Sequence, residues 1–102
     1  MTSPTAPTDA DRAAFETRLR AEGYHEILVK TVEAGLVIDL HSHPYDVLAL
    51  VLDGEAEIDC GAGPRTYRPG DILEVAGGLP HTERYGPLGY TFLLGRRHAT
   101  AA

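Results

Sequence analysis

The chain has 102 residues and a formal net charge of −6, a size that suits one domain with a single core. Its acidic balance, with no block of Lys or Arg, argues against nucleic acid or anionic membrane surfaces as partners. No run approaches the roughly 20 apolar residues of a membrane span, and Met1 to Thr8 lacks the basic and apolar parts of a secretory leader, so a cytoplasmic protein is expected. The single Cys60 forms no intrachain disulfide, in keeping with a reducing compartment.

Residues 1–8, rich in Pro and Thr, read as a flexible lead, and 9–102 as one domain. Thr8 is placed to cap a helix over 9–22, with Asp9 and Asp11 in its first turn, Phe15 and Leu19 on one face and Gly23 as the stop. Such a helix is expected to cover an open end or outer face of a barrel, a lid over a pocket being the alternative. From His25 onward the pattern turns to strands, over 25–32, 36–43, 47–52, 55–60, 65–67, 72–75, 81–85 and 90–94, each bounded by Gly, Pro or Asp. The stretch from Glu55 to Cys60 alternates, which puts Ala56, Ile58 and Cys60 on a core face and Glu55, Glu57 and Asp59 in water. Arg68-Pro69-Gly70-Asp71 fits a type II turn. Many short strands with regular turns predict a sandwich or barrel.

Three histidines fall where one ion can collect them. In an extended strand His41 and His43 point the same way, and His81, after a Gly-Gly-Leu-Pro turn, is the natural third member. His25 and His98 lie outside this pattern and read as surface residues.

These positions carry a family resemblance. Gly35, His41, His43 and Gly54 stand in the register of the first cupin motif, and Gly70, Gly78 and His81 in that of the second. The chain therefore resembles a small single-domain cupin. The resemblance implies an all-β fold, a cupin-type double-stranded β-helix or jelly-roll barrel, here with one short N-terminal helix. The family's motif glutamate falls on Val47, its second-motif proline on Ala76, and its asparagine on Tyr85.

Without that glutamate, three neutral imidazoles favour Zn²⁺, Fe²⁺, Ni²⁺ or Cu²⁺ over harder ions. The resemblance adds that some cupins acting on thiols or diketones hold iron with three histidines alone. Asp46 adjoins the vacant position, Asp39 shares the strand face of His41 and His43, and Glu83 that of His81, so each is a candidate oxygen ligand. The preferred readings leave them as a loop residue, an orienting partner of an imidazole and a rim charge. Val37, Val47, Ala49 and Val51 have the parity to line an apolar chamber for a small organic molecule. Tyr85 and Glu83 are the candidates for managing protons in it. Two classes follow: a metal-dependent enzyme of oxygenase or isomerase/lyase type, or a non-catalytic sensor module for a metabolite or metal, with a metal-free barrel, to which Val47 points, as a third and weaker reading. The strand over 25–32 has apolar side chains on both faces, so a homodimer is expected.

Overall fold

A computed structural model of the protein describes residues 6–98. The expected lead over 1–8 falls mostly outside the described residues. The helix α1 spans Asp9–Ala21, and the strands are β1 (Glu26–Val32), β2 (Val37–His41), β3 (Tyr45–Asp59), β4 (Pro64–Tyr67), β5 (Ile72–Val75) and β6 (His81–His98). Among the described residues no helix is long and apolar enough to cross a membrane.

The long strands β3 and β6 organise everything else. They pair antiparallel from Tyr45↔His98 to Asp59↔Thr82, with register shifts between Val51 and Asp53 and between Gly54 and Ala56. At these shifts the pair bends and passes from one half of the fold to the other. In the first half the order is β1, the end of β6, the start of β3, then β5. In the second it is β2, the start of β6, the end of β3, then β4. Residues of both halves, among them Val47, Val51, Ile58, Tyr85 and Phe92, pack into one core cluster. The sheet has therefore closed over its own inner face, as a jelly-roll barrel does.

The bend explains where the expected strands fuse. The runs 47–52 and 55–60 are one strand, and so are 81–85 and 90–94. Turn residues at 53–54 and 86–89 mark a bend here, not a chain reversal. Gly54 has φ 77°, and a Cβ there would run into the Gly89 carbonyl, so two glycines let the long strands pass at the fold line. The Arg68–Asp71 turn forms as expected: Asp71 N–H donates to the Arg68 carbonyl at 2.9 Å, and Gly70 has φ 92°.

The continuous apolar run from Val47 to Leu52 has a simple cause. Val47, Ala49 and Val51 enter the barrel core, while Leu48 and Leu50 face outward and meet Phe15 and Leu19 of α1, together with Tyr24 and Leu93. The helix covers an outer face, and the reading of it as a lid falls. Thr8 caps it in a reciprocal box with Asp11. Gly95 leaves the space this docking needs, since a Cβ there would lie 2.7 Å from Tyr24 Cβ and 2.8 Å from Leu19 Cδ2. The expected alternation from Glu55 to Cys60 holds, with Ala56 and Ile58 buried and Cys60 packed against the core from a half-buried position.

Candidate metal centre

His41 ends β2, His43 follows in the link to β3, and His81 and Glu83 open β6. His43 thus lies just outside the strand expected to carry both histidines. A bulge sets the phase of the first pair: Ile38 stands opposite Glu83, yet His41 stands opposite His81, so β2 uses one residue more than β6 over this stretch. Strict alternation from Ile38 would turn Leu40 inward. The bulge instead leaves Leu40 69% exposed and turns His41 toward His81. The Gly77-Gly78 turn fixes the other side, with Gly78 N–H donating to the His43 carbonyl at 2.7 Å and Gly77 N–H to the Asp46 carboxylate at 2.7 Å.

The three imidazoles gather closely, with ring centroids 4.3 Å (His41–His81), 4.7 Å (His43–His81) and 5.2 Å (His41–His43) apart. One ligand atom from each, with one from Glu83, all lie within 4.8 Å of one another. Two rings are oriented from behind: Nδ1–H of His41 donates to the Asp39 carbonyl at 2.8 Å, and Nδ1–H of His81 to the Leu79 carbonyl at 2.9 Å. This tautomer leaves each Nε2 lone pair for the cluster, the arrangement that metal-bound histidines use. His41 Nε2 lies 2.8 Å and His81 Nε2 3.7 Å from Glu83 Oε2. With Nδ1 already donating, the His41–Glu83 contact needs a proton or a cation between Nε2 and the carboxylate. His43 Nδ1 is buried with no hydrogen-bond partner. Burial, and then the neighbouring His81 and His41, push the His43 pKa down, which keeps that ring neutral and able to ligate. A divalent metal fits this donor set.

A family model described as the cupin domain matches residues 28–85, more than half of the chain. The chain belongs to the cupin family. Solved structures similar to this cupin include a conserved Streptococcus pyogenes protein of unknown function, with 28% identity and a TM-score of 0.63 over 74% of this chain and 65% of that one. An uncharacterised Klebsiella pneumoniae protein with a double-stranded β-helix domain has 28% identity and a TM-score of 0.60, over 74% and 69% of the two chains. A cupin superfamily protein from Desulfitobacterium hafniense, at 19% identity and a TM-score of 0.60 over 74% and 80%, shares the fold. The chain thus spans slightly less than two thirds of the Streptococcus protein's length. No curated protein gives a significant match.

Within this cupin, Glu83 joins the histidines, where sequence reasoning preferred a rim charge. Tyr85 donates its hydroxyl to Glu83 Oε1, and burial followed by that bond raises the Tyr85 pKa, so it stays a protonated donor. Asp46 does not join the group: its carboxylate takes Gly77 N–H and the Arg97 guanidinium at 2.8 and 3.0 Å. Asp39 contributes its carbonyl to His41, while its side chain faces solvent. Val47 lines the cavity beside the histidines, whereas Val37, expected there, is 56% exposed because the bulge resets the alternation of β2. Ala49 and Val51 are fully buried in the core. His25 is exposed, and His98 pairs with Glu26 at 2.8 Å.

The cluster opens on a cavity of about 490 Å³ walled largely by apolar side chains such as Ile58, Leu73, Phe92 and Leu94. Among the cavity residues that the sequence reading does not assign are Tyr90 and Arg96. Both follow from period-two spacing along β6, since Tyr90, Phe92, Leu94 and Arg96 share a face. Without the pairing partner of each strand, nothing marked that face as the inner one.

Proposed function

We propose that this cupin holds one divalent transition metal through His41, His43, His81 and Glu83 and acts on a small organic molecule admitted to the adjoining cavity. The observation that carries this reading is the convergence of four donors from two distant stretches of chain within 4.8 Å, at the end of a cavity whose volume suits a small ligand. A bound ion would supply Lewis acidity toward a ligand oxygen. The chain's own residues have separate tasks. The Asp39 and Leu79 carbonyls hold two imidazoles in register, Tyr85 holds the Glu83 carboxylate, and the apolar walls exclude water. Glu83 is the group placed to take a proton from a ligand when it is not occupied by the ion. A non-catalytic binding module is the second reading, favoured by the same carboxylate, because four protein donors saturate a tetrahedral site. The carboxylate also broadens the expected ion from Zn²⁺, Fe²⁺, Ni²⁺ or Cu²⁺ toward Mn²⁺.

Elemental analysis of untagged protein tests the proposal. Near-stoichiometric metal is expected in the parent protein and its loss in His41→Ala, His43→Ala and His81→Ala, with His25→Ala unchanged. Equal metal content in His81→Ala and the parent protein would sink the reading.

A further inference from the structure

Among the described residues, three buried side-chain polar atoms lack a hydrogen-bond partner: His43 Nδ1, Tyr90 Oη and Arg96 Nε. All three residues line the one cavity beside the metal cluster. These atoms are themselves closed off, but they mark where polar side chains crowd an otherwise apolar space. Tyr90 and Arg96 both lie in the arm of β6 beyond the bend. Tyr90 meets Tyr85 near the fold line, ring centroids 5.1 Å apart, and is 3% exposed. Arg96 lies at the histidine end, opposite Val47 in the β3–β6 ladder. Its guanidinium sits 5.1 Å over the Tyr45 ring, which stacks on His43 at 4.9 Å with an interplanar angle of 7°. Nη1 is tied to Glu26 Oε1 at 3.0 Å, so the planar head is fixed, and the side chain remains 24% exposed where it helps to line the cavity.

Arginine cannot shed its charge and only donates. Glu26 is shared with His98, and Glu83 is held by His41 and Tyr85. Lys30 and Glu33 also line the cavity, from exposed positions. The group that matches a fixed guanidinium beside apolar walls is an anionic oxygen on an otherwise apolar body. Resting on the reading of this cavity as a small-molecule site, we propose that its ligand is a small organic carboxylate, selected by Arg96 and lying with its apolar part against Val47, Leu94 and Phe92. The Arg96–Tyr45–His43 stack would set the anion next to the metal ligands, and a neutral analogue would forgo the attraction of the Arg96 charge.

The test uses 3-methylbutanoate and its neutral counterpart 3-methylbutanamide, titrated by calorimetry into zinc-loaded and zinc-free full-length protein, with zinc content measured separately. The acid is expected to bind saturably in both forms and about tenfold tighter than the amide, the scale of a charge-assisted hydrogen bond. Arg96→Gln should abolish that preference without loss of zinc. Arg96→Lys keeps a cation but lacks the planar fork; it should fold and lose most of the preference, and it carries the test should Arg96→Gln not fold. Equal binding of acid and amide, no saturable binding of the acid, or an unchanged preference in the Arg96 variants would overturn the proposal. Failure of the parent protein to retain zinc, with the acid preference intact in the zinc-free form, would instead refute the metal reading and leave this one standing.

Discussion

Tyr85 stands where the second cupin motif has an asparagine, and its hydroxyl donates to Glu83. A phenol fixed by burial and aimed at a carboxylate is an orienting group, because it holds one oxygen so that the other faces His41. Its loss should disturb the ion and not the barrel, since the ring fills the same space without the hydroxyl. Tyr85→Phe is expected to lower metal affinity by about 10–100-fold, the usual cost of removing a partner that orients a ligand. Competition with a chromophoric chelator measures it, and an unchanged affinity would show that Glu83 needs no such help. Val47 completes the residue-scale picture. With a carboxylate already delivered from β6, the missing motif glutamate leaves an apolar wall without leaving the cluster short of an oxygen.

Between elements, Asp46 at the start of β3 is the main clasp. It receives Gly77 N–H from the turn before His81 and the guanidinium of Arg97 near the end of β6, while Arg97 Nη1 also donates to the Glu22 carbonyl at the end of α1 at 2.7 Å. The Gly77 bond, and then Arg97, push the Asp46 pKa below its ordinary value of 3.8. The unfolded chain therefore binds this proton more readily than the folded one. The resulting stability is present above the ordinary value and is lost as pH falls through the depressed one. Thermal melts below about pH 4 should show the parent protein losing stability with acid more steeply than Asp46→Asn; parallel acid limbs would remove Asp46 from this role. The elements themselves were largely legible. Turn residues, the alternation at Glu55–Cys60 and the histidine spacing located the strands and three of the four cluster residues. The rest was hidden for physical reasons. A fold line and a turn use the same glycines, so β3 and β6 each read as two strands. The β2 bulge breaks the parity by which Val37 and Asp39 were assigned. Glu83 was seen to share a face with His81, but a face does not fix a distance.

At the scale of the molecule, β1 and β2 each pair with β6 alone among the described residues, so their outer edges remain open. Val29, Val37 and Leu40 are half or more exposed along them. Open backbone groups beside apolar side chains favour pairing with a second copy. A homodimer of about 22 kDa, twice the 11.0 kDa chain, is expected in light scattering at micromolar concentration, whereas a mass near 11 kDa at every concentration would refute it. The nesting of β3 and β6 also bears on time. Their innermost rung is Asp59↔Thr82 and their outermost Tyr45↔His98. Shorter loops close at less entropic cost, so the ladder should zip outward from the inner rung. His81 lies beside that first rung, while His41 and His43 precede the last one in the chain. On that order the two stretches that carry the cluster meet late, so an ion held there is expected to act as a latch on escape and not as a nucleus for entry. In stopped-flow experiments zinc should slow unfolding markedly and leave the refolding rate nearly unchanged.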